Sequence, residues 1–447
     1  MISAGASRGV DVDMQQNFDA IIIGAGIIGA AIAFEMARGG RRTLNIDRLP
    51  AAGYGSTSHS CAIIRVYYST VDATALACDS YFHWKDWAGY LGAEDERGHA
   101  VFHDCGTLVM KTEQNGHCRR SMAIMSELGI PFEEWDAERI RETLPPYDLA
   151  GFAPAKRMED DDFGKSNGST IDGAVFFPQG GYVSDPQLAT HNLQRAAEAH
   201  GAAFRFNAEV AEILREDGRV GGVRLADGSR ITAPIVINVA GPHSAKINAM
   251  GGVTGDMAIS TRPLRQEVVH LASPGGFDFQ HRGTVVSDSD IAVYCRPETG
   301  NNILVGSEDP PCDVQEEVDP DDFDRTIGPQ GITQAFRYAQ RVPGIEVPNR
   351  PRGVVDLYDV TEDWGPIYDR SSLDGFYMAI GTSGNQFKNA PVVGRMMTAL
   401  VDYCEGGNDH DAEPMTFRLT HIDHTLDLAN VSRRRRINPD SSFSVLG

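Results

Sequence analysis

Three glycines near the start of the sequence have a spacing that suits phosphate binding. Gly24, Gly26 and Gly29 form a GxGxxG pattern directly after the apolar run 20–23. In such a turn the first glycine permits a tight bend, the second lets backbone approach a pyrophosphate, and the third lets a helix pack close to a strand. Asp47 lies eighteen residues beyond Gly29, where a carboxylate can accept hydrogen bonds from ribose hydroxyls. The pattern therefore predicts dinucleotide binding.

The elements that must position these residues can also be read from the sequence. An apolar run ending at Ile23 suits a buried strand, and a segment of helix formers follows the glycines and ends at Gly39 and Gly40. A second apolar run, 43–46, leads to Asp47. These segments predict a βαβ unit whose helix N-terminus offers free N–H groups and partial positive charge to phosphates. The alternative is an ordinary buried strand, turn and helix.

Two bases occur where a solvated surface charge is not the first expectation. Arg65 follows the paired isoleucines 63–64, and Lys388 ends the Gly-rich stretch 381–387. A guanidinium fork together with an ammonium point charge suits a carboxylate. For each base, the alternative is a buried salt bridge to an acid of the protein itself.

Two further strands lead into Gly-rich turns. Residues 235–239 are an apolar run before the Gly-Pro turn at 241–242, and residues 376–380 precede the turn 381–384. In an open α/β sheet, ligands bind beyond the carboxyl ends of the strands, which is where both turns would lie. A helix predicted over 391–403 would direct its N-terminus at the second turn.

Other segments indicate a second sheet and its surroundings. The alternating segments 265–271, 291–296 and 302–306 read as strands of an antiparallel sheet, hence of a second domain. Residues 174–183 resemble a hairpin. Residues 73–90 read as an amphipathic helix whose aromatic side chains fit a core better than a cofactor site.

Composition limits the classes of partner. The 447 residues suffice for two or three domains. A formal charge of −22, from 62 acids and 40 bases, argues against nucleic acid and anionic membranes as partners. The seven scattered cysteines contain no CxxC pair, so they suggest neither a zinc site nor a disulfide framework and fit a reducing cytoplasm.

Two charged runs are interpreted without assigning them a function. The acidic insert 158–173 reads as a solvated loop, so no metal is assigned. The four arginines at 433–436 read as a surface patch that pairs with acids. No segment reads as a membrane span.

Four blocks follow one another in chain order: the glycine motif 24–29, Ile63-Ile64-Arg65, residues 237–242 and residues 381–388. Together they resemble the FAD-dependent amino acid and amine oxidoreductases of the D-amino acid oxidase superfamily. The resemblance is nearest to the sarcosine oxidase and dimethylglycine dehydrogenase branch, and it spans residue 18 to about residue 403.

The resemblance implies an α/β fold, α+β overall, in which a Rossmann-type FAD-binding domain carries an inserted antiparallel-sheet substrate domain. The implied limits are 18–92, 185–255 and 352–405 for the discontinuous FAD-binding domain, 93–184 and 256–351 for the substrate domain, 1–17 for a flexible N-terminal tail and 406–447 for a C-terminal extension.

The family also implies how FAD would lie. Its adenine would be near Asp47 and the backbone of Val210, and its flavin ring would lie between the domains and face the turn 381–384. The residues that the resemblance assigns to cofactor binding are Gly24, Gly26, Ile27, Ile28, Gly29, Asp47, Arg48, Ser58, His59, Val210, Ala240, Gly241, Gly381, Gly384, Asn385, Gln386, Phe387 and Lys388.

For the reaction, the resemblance implies that Arg65 and Lys388 hold the carboxylate of a primary or N-alkylated amino acid. Hydride transfer to flavin N5 would then give an imine. One alternative is an FAD-dependent 2-hydroxy acid dehydrogenase, and another is a catalytically silent FAD-binding subunit of a multi-subunit amine dehydrogenase. The intact pair of bases argues against a silent subunit. The oligomeric state is not predicted.

Several positions depart from the family's pattern. His59 is expected to be a non-covalent neighbour of the flavin, although a covalent link through it is the alternative. Family members that attach FAD through a cysteine carry it in a strand matching 355–358, which here has none. The strand 302–306 lacks the lysine that activates oxygen in the oxidases, which favours a dehydrogenase with a separate electron acceptor. His243, where tryptophan is usual, is interpreted as an ordinary turn residue.

Overall fold

The structure is a computed structural model that describes residues 18–112 and 116–447, so the predicted tail 1–17 lies outside the described residues. In chain order the strands are β1 (Ala20–Ile23), β2 (Thr43–Ile46), β3 (Ile63–Arg65), β4 (Phe102–His103), β5 (Thr107–Met110), β6 (Glu133–Asp136), β7 (Gly173–Phe177), β8 (Gly180–Val183), β9 (Ala203–Arg205), β10 (Val210–Glu216), β11 (Arg219–Leu225), β12 (Arg230–Thr232), β13 (Val236–Asn238), β14 (Arg262–Ala272), β15 (Val285–Asp288), β16 (Val293–Glu298), β17 (Asn302–Ser307), β18 (Glu316–Glu317), β19 (Arg352–Val360), β20 (Ile367–Arg370), β21 (Phe376–Ile380), β22 (Thr416–Arg418) and β23 (Thr425–Asp427). The helices are α1 (Ile27–Arg38), α2 (Val71–Lys85), α3 (Trp87–Leu91), α4 (Gly116–Glu127), α5 (Ala137–Thr143), α6 (Pro186–Ala199), α7 (Ser244–Met250), α8 (Phe279–Arg282), α9 (Pro329–Arg341) and α10 (Ala390–Glu405).

One sheet is mostly parallel, and the glycine motif directly follows its interior strand β1. Its strand order is β20-β21-β13-β1-β2-β9, and only β20 runs antiparallel to its neighbour. Helix α1 is buried along its length except at Arg38, because it packs against α6 and α10. Gly394 allows the close approach of α10, since a Cβ there would lie 2.6 Å from the carbonyl oxygen of Ala31. The predicted Rossmann-type arrangement is confirmed.

A second, larger sheet is almost wholly antiparallel. Its order is β18-β14-β17-β16-β15-β5-β7-β6, with β19 paired to β14, and only β5 and β15 run parallel. Helix α9 covers β14 and β17, and the apolar side chains between them form a separate core. The antiparallel sheet expected from the alternating segments is therefore confirmed.

The predicted hairpin at 174–183 is wrong. Strand β7 pairs with β5 and β6 in the large sheet, whereas β8 pairs with β3 and β4 in a small three-stranded sheet. Tertiary packing decides between these partners: Phe176 stacks on Trp135 at 4.6 Å and Phe177 stacks on Tyr67 at 4.6 Å. The switch places β8 beside β3, so that Arg65 lies opposite Gly180.

The helix predicted over 73–90 is interrupted at Asp86, which ends α2 and caps α3 through a hydrogen bond from the Gly89 N–H. Its aromatic residues do belong to the core, as expected, because Trp84 and Trp87 are buried and stack at 4.3 Å. Within the described part of the chain, no helix combines the length and the apolar character needed to span a bilayer.

Three arginines of the run 433–436 pair with acids, but the expected surface location is wrong for Arg433. Arg433 is fully buried and forms ion pairs with Asp256, Asp369 and Asp411. Arg435 is half-buried, with a side chain that is 7% exposed and pairs with Asp363 at 2.7 Å. Buried guanidinium groups persist because carboxylates compensate them, and here they anchor the extension after residue 406 to the rest of the fold.

Candidate active site

A cavity of about 550 Å³ extends from the glycine turn after β1 to the turn after β21. The parallel sheet contributes the carboxyl ends of β1 and β13, and the large sheet contributes residues of β14, β15, β16 and β19. Ligand pockets of small molecules and cofactors fall in this range of volume. The cavity therefore lies where an open α/β sheet binds its ligands.

The glycine turn leaves the first turn of α1 open to the cavity. Gly24 has φ +116°, and a Cβ there would lie 2.4 Å from the Val239 carbonyl oxygen. A Cβ on Gly29 would lie 2.3 Å from the Gly24 carbonyl oxygen, so helix and turn touch through backbone alone. Gly26 offers no side chain to cap the helix, which leaves N–H groups of α1 for a ligand. The Ile27 N–H alone finds a side-chain acceptor, the hydroxyl of Thr57 at 3.2 Å.

Asp47 is held in a fixed orientation at the same end of the cavity. Its two carboxylate oxygens accept hydrogen bonds from the N–H groups of Ala25 and Leu49, both at 2.8 Å. Burial raises the pKa of Asp47, and these two N–H groups counteract that rise. Val210 lines the same end. The arrangement suits a ribose and adenine beside the glycine turn.

Most of the residues predicted to bind the cofactor line this one cavity. Of the described residues predicted to do so, Ser58 and Gly381 lie outside the lining. The Ser58 hydroxyl donates to the Gly55 carbonyl at 2.9 Å, and the Gly381 N–H donates to Asp359 at 2.6 Å, so both support turns. The predicted residues in the lining are Gly24, Gly26, Ile27, Ile28, Gly29, Asp47, Arg48, His59, Val210, Ala240, Gly241, Gly384, Asn385, Gln386, Phe387 and Lys388.

Arg48 and His243 line the cavity and share Asp321, which lies between β18 and α9. Arg48 forms an ion pair with Asp321 at 2.5 Å and contacts the His243 ring nitrogen Nε2 at 2.8 Å. Lys246 also binds Asp321, and together these groups hold the pKa of Asp321 well below its usual range. His243 thus has a structural partner, as its interpretation as an ordinary turn residue expects.

His59 faces the middle of the cavity with an acid behind it. Its Nδ1 contacts the Asp356 carboxylate, to which the Ser56 hydroxyl also donates at 3.4 Å. Asp356 lies on β19, within the segment 355–358 that carries no cysteine. An aspartate in this position fixes the imidazole ring and its tautomer, which sequence reasoning did not foresee.

Arg65 lies at the far end of the cavity and is buried, with 6% of its surface exposed. Its Nη1 donates to the Tyr67 carbonyl at 2.6 Å, and its Nη2 donates to the carbonyls of Val445 and Leu446 at 3.0 and 2.5 Å. Its guanidinium also covers the Tyr68 ring at 4.0 Å. Within residues 18–112 and 116–447 no carboxylate forms an ion pair with it, so the salt bridge considered from sequence is not found.

Lys388 joins Arg65 at this end, more than three hundred residues further along the chain. It lies in a short 3₁₀ turn, Phe387–Asn389, and its Nζ donates to the Tyr68 hydroxyl at 2.9 Å and the Asn385 carbonyl at 2.6 Å. Burial, and then the neighbouring Arg65 charge, hold the pKa of Lys388 well below its usual range. Arg65 and Lys388 thus both lie beside the Tyr68 ring, and the hydrogen-bond acceptors of both bases are neutral.

Neutral phenol and amide side chains that were not predicted from the sequence also line the cavity. Tyr294 and Tyr358 line the cavity with their hydroxyls 3.4 Å apart, and Gln266, on β14 of the same large sheet, also lines it. Burial raises the pKa of Tyr67 to about 12, so its hydroxyl stays protonated at neutral pH. The position of Tyr67 and Tyr68, two and three residues after Arg65, was a usable signal, whereas nothing in the sequence indicated Val445 and Leu446.

Comparison with known proteins identifies the family. The family model described as DAO, FAD dependent oxidoreductase, matches residues 19–400. This chain belongs to that family. The glycine oxidase of Geobacillus kaustophilus is 25% identical over 429 residues, covering 89% of this chain and 96% of the relative. The monomeric sarcosine oxidase of a Bacillus species is 24% identical over 413 residues, covering 89% and 95%.

Solved structures give the same fold. The L-proline dehydrogenase of P. horikoshii superposes with a TM-score of 0.73 at 22% sequence identity, covering 94% of this chain and 98% of that one. The family's cofactor also fits the site described above. Open N–H groups at α1, the oriented Asp47 carboxylate and a continuous cavity to Lys388 match the needs of an extended dinucleotide.

Proposed function

We propose that this FAD-dependent oxidoreductase oxidises a carboxylate-bearing amine, a primary or N-alkylated amino acid, to an imine. The observation that carries the proposal is the pair Arg65 and Lys388, two buried bases at one end of the cofactor cavity whose hydrogen-bond partners are neutral. Among the described residues no carboxylate forms an ion pair with either base, and a substrate carboxylate supplies the counter-charge.

The protein's part in the reaction is to bind and orient. Arg65 and Lys388 hold the carboxylate, and the Tyr68 ring between them keeps both bases at a fixed distance. Bound FAD supplies a hydride acceptor at flavin N5. The substrate loses a hydride from carbon to the flavin and a proton from nitrogen to solvent water, so its C–N bond becomes C=N, and water then hydrolyses the imine. No acid–base pair of side chains is needed for this balance.

The relatives support an amine over a 2-hydroxy acid. The names of two of them, glycine oxidase and monomeric sarcosine oxidase, are those of amino acid oxidases, and both align along nearly the whole chain. The oxidised groups of glycine and sarcosine are a primary and a secondary amine on a carbon that bears a carboxylate, which is the chemistry inferred from the two bases.

We further propose that FAD is held non-covalently and that electrons leave to an acceptor other than oxygen. His59 is engaged by Asp356 through Nδ1, which supports a positioning role for the ring rather than attachment. Strand β17 carries no lysine, and the lysines lining the cavity in the described part of the chain are Lys246 and Lys388. Acid precipitation should leave the yellow colour in the supernatant, and reduced enzyme should reoxidise slowly in air.

A panel of compounds mixed with the enzyme without oxygen tests the proposed reaction. Amino acids and N-methyl amino acids should bleach the oxidised flavin, whereas the matching 2-hydroxy acids should leave it yellow. Bleaching by hydroxy acids alone would show that the substrate is a 2-hydroxy acid and not an amine. If no compound bleaches the flavin, the alternative of a catalytically silent FAD-binding subunit is favoured.

A further inference from the structure

The segment Ser442–Gly447, called the strap below, reaches the positively charged end of the cavity. Val445 and Leu446 of the strap line the cavity. Their carbonyl oxygens accept hydrogen bonds from a single nitrogen of Arg65, Nη2, at 3.0 and 2.5 Å. A third bond ties the strap here, because the Ser69 hydroxyl donates to the Gly447 carbonyl at 2.9 Å.

We propose that the strap is a built-in competitor of the substrate and must leave Arg65 before a carboxylate can bind there. This inference rests on the proposed function, since it takes Arg65 as the carboxylate anchor. The two strap carbonyls occupy the N–H groups of Nη2, and a carboxylate that binds a guanidinium as a fork needs one of these N–H groups. The same N–H group cannot serve both acceptors, so a closed strap and a forked substrate carboxylate exclude each other.

The strap is attached to a firmly held root. Just before it, Arg433 is fully buried in ion pairs with three aspartates, and Arg435 forms an ion pair with Asp363 at 2.7 Å. The Ser441 hydroxyl donates to the Asp363 carbonyl at 2.5 Å. A root this well anchored keeps the strap near Arg65 at a high effective concentration, so even a weak contact competes with a free ligand.

The strap's hydrogen bonds to Arg65 are of a kind that an anion can replace. Carbonyl groups are dipoles and leave the charge of Arg65 without a counter-charge, whereas a carboxylate brings a full negative charge to the same N–H groups. The side chain of Val445 adds an apolar contact in a cluster with Tyr294 and Trp364. A substrate therefore can displace the strap. Its apparent Kd equals its intrinsic Kd divided by the fraction of molecules in which the strap is open, so a mostly closed strap weakens binding.

The direct test compares the full chain with a chain that ends after Ser441, both as FAD-loaded protein. Benzoate, a simple carboxylate probe, is titrated and the flavin absorbance is followed. The shortened chain should bind benzoate at least tenfold more tightly, and Arg65→Met in the shortened chain should remove that gain. Equal binding by both chains would overturn the proposal, and so would weaker binding after shortening, because the strap would then be part of the anion site.

Two controls address folding of the shortened chain. A synthetic peptide of residues 441–447 should raise the apparent Kd for benzoate of the shortened chain, whereas a scrambled peptide of the same composition should not. If the shortened chain does not fold, Ser69→Ala in the full chain removes one tie of the strap and should tighten benzoate binding severalfold. No effect of that variant then overturns the proposal.

The outcome can be separated from that of the proposed function. If shortening tightens benzoate binding but no amino acid bleaches the flavin of either chain, the strap is supported and the proposed reaction is wrong. If amino acids bleach both chains at the same concentrations and benzoate binds both equally, the proposed reaction is supported and the strap is wrong.

Discussion

Replacement of Arg65 by methionine should remove most of the affinity for a carboxylate substrate. Methionine preserves much of the aliphatic stem, so the change removes the guanidinium charge and its hydrogen bonds. Arg65 is buried, and its partners among the described residues are carbonyl oxygens and an aromatic ring. A bound carboxylate is therefore its expected counter-charge, and the two would form a desolvated pair.

The size of the effect can be worked out from this arrangement. Removing one partner of a buried, hydrogen-bonded charge pair costs about 2–5 kcal/mol, and about 1.4 kcal/mol corresponds to a factor of ten. Lys388 offsets part of the loss, because the Arg65 charge is one cause of its lowered pKa and its removal leaves Lys388 more often protonated. We therefore expect the substrate Kd to rise roughly 30- to 300-fold, which corresponds to the lower part of the range of about 2–5 kcal/mol.

The assay is single-turnover reduction of the flavin without oxygen, at a series of amino acid concentrations. Arg65→Lys, which keeps the charge but loses the fork, should fall between the wild type and Arg65→Met. Arg418→Met is the matched control, since Arg418 is exposed and pairs with the exposed Asp423. A substrate Kd within threefold of the wild type, in an Arg65→Met protein with a normal flavin spectrum, would refute the reasoning.

Three other predictions follow from the same structure. Benzoate affinity should fall as pH rises, because the pKa of Lys388 is low in the free site and a bound anion raises that pKa. Benzoate titrations at a series of pH values should show this fall, and Lys388→Met should abolish the pH dependence. Gly29→Ala should weaken FAD binding at least tenfold, measured by flavin fluorescence, because its Cβ would lie 2.3 Å from a backbone oxygen. Arg433→Met should lower the free energy of unfolding by about 3–5 kcal/mol in denaturant titrations, because buried Asp369 loses the Arg433 guanidinium as its ion-pair partner. Arg434→Met, at an exposed position, should change it far less.

The dinucleotide end of the site was predictable because its information is local. Gly24, Gly29 and Asp47 lie within one βαβ unit, and the tight contacts of both glycines follow from their spacing. The alternation of strands in the large sheet is likewise a short-range pattern, and it predicted antiparallel pairing correctly.

The other end of the site depends on contacts that no local pattern encodes. Tyr68 and Lys388 lie 320 residues apart, and only the family resemblance suggested that the bases at 65 and 388 meet. The strands β7 and β8 read as a hairpin because their turn is short, yet packing of Phe176 and Phe177 sends them to different sheets.

The extension after residue 406 was the least predictable part. An arginine in a charged run is usually solvated, but Arg433 enters the core because three aspartates from distant segments surround it. The position of Val445 over Arg65 depends on that anchoring, which only the folded chain reveals.

The central claim is that this cavity oxidises carboxylate-bearing amines. Its most direct measurement is the absorbance of the bound flavin after the enzyme is mixed, without oxygen, with an N-methyl amino acid and with the matching amine that lacks the carboxylate. We predict that the first compound bleaches the flavin and that the second does so far more slowly. Equal bleaching by both, or bleaching by neither, would contradict the account.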